Sequence, residues 1–187
     1  MSQRLLPGIL ALGLALVSAQ AQDAPSNSAV AALAAIPPQY TGQILQLTGD
    51  KGTPEPAQWV IYARVRDDDD SSPSTVHTIV VAAGQVISDN PAANLFEVFR
   101  NTGYFGAPDI QVDSGDAFLT LTLYATSNNK VVNAISYKLV QSGDGVPIWT
   151  LTAFDPNGGE IGWLRILATT GAVIGQKGFP VTPAIPN

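Results

Sequence analysis

"TIVVAAGQVI" occupies Thr78–Ile87, and "RILATTGAVI" occupies Arg165–Ile174. Each reads as a β-strand, a turn of small residues holding a glycine, and a Val-Ile pair. The likeness continues outward. Trp59 lies four residues before Ala63, and Trp149 lies four before Ala153. Ile79, Gly84, Val86 and Ile87 match Ile166, Gly171, Val173 and Ile174. Trp59 to Gly84 is 25 positions, whereas Trp149 to Gly171 is 22. The three extra residues fit the polar Asp67–Ser74 turn, where insertions are tolerated. Further upstream, Leu47-Thr48-Gly49-Asp50 resembles Gln141-Ser142-Gly143-Asp144. The pattern reads as one unit written twice; the alternative is chance likeness between hairpins of similar composition. Two units are too few for a solenoid. The expected fold is therefore α+β: an antiparallel meander of two related β units, packed on one main helix. Gly84 and Gly171 are expected to take positive φ and fold each Val-Ile pair back onto the sheet.

The chain divides accordingly. Residues 1–21 carry Arg4, an apolar run Leu5–Val17 and the small-x-small site Ala19-Gln20-Ala21. These are the three parts of a cleavable export signal, with cleavage near Ala21-Gln22 and a periplasmic or secreted destination. The apolar run falls short of the ~20 residues a membrane helix needs, and no later stretch is long and apolar enough. Residues 22–41 form a linker or a short helix, Ser28–Ile36, capped by Ser28 and stopped by Pro37-Pro38. The first β unit is 42–90, with strands at Gln43–Leu47, Trp59–Arg66 and Val76–Ala82. Residues 91–178 hold the main helix and the second unit. That helix is expected at Ala92–Asn101, with Asn90 as cap, Pro91 at its first position and Leu95, Phe96 and Phe99 as its apolar stripe. Phe118–Ala125, "FLTLTLYA", alternates strictly and predicts a strand with Leu119, Leu121 and Leu123 inward. Val131–Gln141 fits either period and is assigned as strand on its β-branched content. Ile148–Phe154 and Ile161–Ala168 complete the unit, and 179–187 is an irregular, proline-rich tail.

Composition narrows the function. The net charge of −6 becomes −7 once the leader and its Arg4 are removed, which disfavours a nucleic-acid partner. Cysteine is absent, so thiol catalysis, thiolate metal sites and disulfides are excluded.

The segments "WVIYARVRDDDD…TIVVAAGQVI" and "WTLTAFDPNGGEIGWLRILATTGAVI" resemble the PepSY family of secreted bacterial domains. The shared features are an aromatic strand, a polar turn, and a strand ending in A-x-x-G-x-V-I. The resemblance implies a small, cystatin-like α+β domain. It also implies a cell-envelope role, binding or restraining a peptidase, without shared catalytic residues.

Candidate chemistry is sparse. His77 is the only histidine, so it cannot build a histidine metal cluster, and no G-x-S-x-G accompanies it. Asp67-Asp68-Asp69-Asp70 could hold a cation, but it lacks the calcium-loop pattern and reads as a solvated hairpin tip. Glu97 is the only acid amid apolar neighbours and reads as a surface position on the expected helix. Trp59 and Trp149 read as equivalent core residues, leaving Trp163 as the candidate contact residue. No catalytic residue, cofactor or metal ligand is assigned. The expectation is a non-catalytic, envelope-associated module for an unidentified protein or peptide. A carboxylate-dependent hydrolase or a structural envelope component is the alternative.

Overall fold

The computed structural model describes residues 27–65 and 75–183. The expected leader and its expected cleavage site, the Asp67–Asp70 run and the last four residues lie outside them. Helix α1 (Ala29–Ala35) precedes strands β1 (Ile44–Gly52), β2 (Trp59–Val65), β3 (Thr75–Ala82) and β4 (Gln85–Pro91). Helix α2 (Ser114–Ser127) precedes β5 (Ala134–Gln141), β6 (Pro147–Phe154), β7 (Glu160–Leu167) and β8 (Val173–Lys177). The strands form one antiparallel sheet in the order β4-β3-β2-β1-β5-β6-β7-β8. A helix followed by a four-strand meander thus occurs twice. The two meanders join at β1 and β5, where Thr48 faces Lys138 and Leu47 faces Leu139. A local twofold through that seam relates the halves.

The tryptophans confirm the relation. Both are fully buried. The Trp59 indole N–H donates to the Asn27 carbonyl at 2.7 Å, and that of Trp149 to the Val112 carbonyl at 2.8 Å. Asn27 immediately precedes Ser28, the N-cap of α1, and Val112 immediately precedes Asp113, the N-cap of α2. Each tryptophan therefore anchors the start of its own helix to its own second strand. Trp59, Tyr137 and Trp149 meet across the seam with ring centroids 5.5–6.4 Å apart. Gly49 makes room for them: a Cβ there would lie 2.8 Å from the Trp59 ring. The core lies between these strands and the helices, with Leu47, Ile61, Ile79, Leu139, Leu151 and Ile166 on the sheet side.

Strand pairing corrects the sequence alignment of the two units. Trp59 faces Val81 and Trp149 faces Ile166. Val81, not Ile79, is thus the counterpart of Ile166. The β2–β3 connection of the first unit is longer by five residues, and its β3–β4 turn is shorter by two. The Leu47–Asp50 likeness to Gln141–Asp144 has no structural counterpart: Thr48–Gly52 continues β1, whereas Ser142–Gly145 is the β5–β6 turn.

The main helix also lies elsewhere than expected. Phe118–Ala125 is helical, within α2, because a second pattern underlies the Leu-Thr alternation. Ala117, Leu121, Tyr124 and Ala125 recur at helical spacing, and all four are buried. Leu119 and Leu123, assigned inward for a strand, are 59% and 55% exposed. The threonines fit a helix because Thr120 and Thr122 donate to the carbonyls of Asp116 and Phe118, four residues back.

Ala92–Asn101 forms no α-helix. Pro91 ends β4, the Ala92 N–H bonds the Val76 carbonyl of β3, and a 3-10 turn at Ala93–Leu95 follows. Packing of Leu95 and Phe99 onto the sheet outweighs the helical spacing. Val131–Gln141 is strand only from Ala134. Gly84 and Gly171 have φ of +69° and +76° as expected, but each Val-Ile pair splits. Val86 and Val173 pack inward, while a bulge in each edge strand turns Ile87 and Ile174 outward, 59% and 49% exposed. Bulges of this kind blunt a sheet edge against further pairing.

Candidate functional site

Strands show their side chains alternately to the two faces, and α1 and α2 cover one face only. On the other, one row crosses the whole sheet: Ser88, Val80, Val60, Thr48, Lys138, Thr150, Arg165 and Gly175. At ~4.8 Å between strands this row is about 34 Å wide.

The two halves of this face differ. Over the first half, residues 92–105 cross the sheet as a strap. Phe99 buries against Leu45 and Val76, with Leu95, Tyr62 and Tyr104 around them. The Arg64 guanidinium donates to the Tyr104 hydroxyl and the Phe99 carbonyl, and lies over the Phe96 ring. The strap then pairs Phe105 with Ile44 and passes to the helix side. In the second half the twofold counterparts of Tyr62, Arg64 and Thr78 are Thr152, Phe154 and Trp163. No comparable buried cluster forms over them among the described residues; all three are partly exposed, as Tyr62, Arg64 and Thr78 are, and Ile148 on the same half is buried. The chain after β8 turns instead to the helix side, where Phe179 buries and Asn128 holds the Val181 backbone.

Trp163 thus lies on the bare half, its ring against β8 at Gly175, where a Cβ would sit 3.5 Å from it. Thr152 and Lys177 are its cross-strand neighbours. Lys138 and Arg165 flank Thr150 in the central row, and both are exposed. The Lys51 ammonium stands 5.2 Å from the Phe154 ring centroid. Beside the seam are two shallow grooves. One of about 500 Å³ is lined by Thr48, Asp50, Gln58, Val60 and Ser136. The other, about 320 Å³, is lined by Gln46, Phe99, Thr102, Lys138 and Val140. Sequence reasoning singled out Trp163 but not Lys138 or Arg165. Their shared face follows from pairing across three strands, which sequence spacing does not encode.

Two polar clusters lie on the helix side. The first joins the helices. Ser114, fully buried, accepts from the Ala29 N–H at 3.0 Å and donates to Glu55 at 2.9–3.0 Å, while Asp113 accepts from the Val30 N–H at 3.1 Å. Burial raises the Glu55 pKa; the Ser114 hydroxyl opposes this and the nearby Asp113 adds to it. Two carboxylates converge here on one hydroxyl, but that hydroxyl is sealed between two helix N-termini.

The second cluster holds His77. Its Nδ1 lies 2.8 Å from Asp89 and 2.9 Å from the Tyr40 hydroxyl, which itself donates to Asp89 at 2.7 Å. Burial, and then Asp89, push the Tyr40 pKa up to about 12. Tyr40 is fully buried, so the trio ties the α1–β1 connection to the β3–β4 edge. Glu97 is exposed on the strap and pairs with Arg100 at 3.5 Å. Among the described residues no group of three acids or histidines is placed to hold a metal ion. No helix there is long and apolar enough to cross a membrane.

No protein-family model matches the chain, and no curated protein matches it. A solved structure of a "putative lipoprotein" from Clostridium difficile 630 is similar at 14% identity and a TM-score of 0.45. The match covers 72% of this chain and 81% of that one. A likeness this weak carries no argument about function.

Proposed function

We propose that the protein is an exported, non-catalytic binding module that engages a protein or peptide through the face of its sheet. One observation carries the reading: a sheet eight strands wide is covered by helices on one side and, among the described residues, strapped over only half of the other. At about 17 Å across, the bare half would form the centre of one partner's share of an ordinary protein interface. Its mixture of threonine, aromatic and cationic side chains suits a surface contact better than an enclosed small-molecule site. The groups that could do chemistry have structural work: Ser114, Glu55 and Asp113 fasten the two helices, and His77, Tyr40 and Asp89 fasten an edge. The two helix-and-meander units suit the PepSY-like, cystatin-like kinship read from the sequence, and a cell-envelope role fits the leader.

A photo-crosslinking side chain placed at Thr150, in the centre of the bare half, and in a second variant at Leu119, on the helix side, tests the reading. In the native envelope fraction the Thr150 variant is expected to give a discrete adduct that the Leu119 variant lacks. Adducts from both alike, or from neither, would refute it.

A further inference from the structure

We propose that the bare half of the sheet receives an acidic, aromatic-anchored segment of another protein, lying where the chain's own strap lies on the first half. This deepens the docking-face reading and rests on it.

The strap shows what such a face accepts. On the first unit it seats Phe99 in the sheet and surrounds the Arg64 cation with ring faces and a carbonyl. Among the described residues the second unit offers the twofold-related surface with no strap of its own; the first unit's strap reaches only its β5 margin, beside Val140 and Gln141. Its charge differs from that of the first. Thr48, Val80 and Asn90 are neutral, whereas their counterparts Lys138, Arg165 and Lys177 are cations. None of the three forms an ion pair among the described residues, where the pairs are His77–Asp89 and Arg100–Glu97. Of the acids on the strands around them, Asp50 is engaged by the Ser136 hydroxyl and Glu160 stands at the start of β7, opposite Phe154. A cationic half-face on a chain of net charge −6 complements carboxylates and repels a basic partner. The partly exposed Trp163 supplies the apolar anchor point that Tyr62 and Val76 supply beneath the strap.

The probe is the strap itself as a synthetic peptide, residues 93–104, in two forms: an acidic one carrying Arg100→Glu and a basic one carrying Glu97→Lys. Trp59 and Trp149 are buried, so tryptophan emission of the whole exported chain reports contact at Trp163, with Trp163→Phe as the control. The acidic peptide is expected to bind at least tenfold more tightly than the basic one and to weaken as salt is raised. K138E/R165E, checked for an unchanged thermal midpoint, is expected to reverse that order. Equal affinity for both peptides, no reversal in the double variant, or no change in Trp163 emission at millimolar peptide overturns the proposal. The Thr150 crosslink separates the two levels. An adduct there with charge-blind peptide binding removes only the acidic partner, whereas loss of the adduct removes the docking face.

Discussion

Trp59 and Trp149 act as clasps: each closes the gap between a helix start and a strand with one hydrogen bond from a buried ring. Trp59→Phe and Trp149→Phe each remove a hydrogen bond to a partly buried carbonyl and leave a void in the core beside it, together costing about 2–4 kcal/mol. Urea unfolding of the two variants is expected to give losses within about 1 kcal/mol of each other; a large loss at one and none at the other would break the equivalence. Glu55 works in the opposite sense. Its carboxyl holds a proton to higher pH in the folded chain than in the unfolded one. The fold thus has its full stability from this group below the ordinary value of 4.5 and loses it as pH rises through the folded value. Glu55→Gln removes that slope while still accepting from Ser114. The drop in thermal midpoint from pH 4 to pH 7 is therefore expected to be smaller in Glu55→Gln than in the natural chain.

At the scale of elements, α2 separates what the sequence reveals from what it hides. Its two periods overlap, and alternation is the more conspicuous. The helix is decided by Asp113 accepting from the Ser114 N–H at its start, and by threonine hydroxyls turned back to carbonyls of the preceding turn. Leu121→Ala is expected to cost about 2–5 kcal/mol in chemical denaturation, and Leu119→Ala or Leu123→Ala less than about 0.5 kcal/mol. A strand would make all three costly. The strap is the converse case, a segment with helical spacing held in turns by what it packs against. The tryptophan-bearing strands were legible because a buried strand carries its signal locally. The open face was not, since it depends on which strands become neighbours.

For the whole molecule, the repeat seen in two short phrases proved to extend over a helix and four strands in each half. Its order across the sheet is set by the β1–β5 seam, which no turn encodes. Neither half buries that seam alone. The segment 92–187 produced by itself is expected to self-associate through β5, visible as concentration-dependent mass in sedimentation. Around a true twofold, Lys138 would oppose its own copy, and like charges directly opposite destabilise a pair. Lys138→Thr is thus expected to tighten that dimer several-fold. The same geometry bears on sidedness. A symmetric dimer must carry any change twice, so a cation beside its axis always meets itself. One continuous chain escapes that bind, since Thr48 can stay neutral while Lys138 gains its charge. Joining two units end to end thus lets a single molecule have a left hand and a right hand.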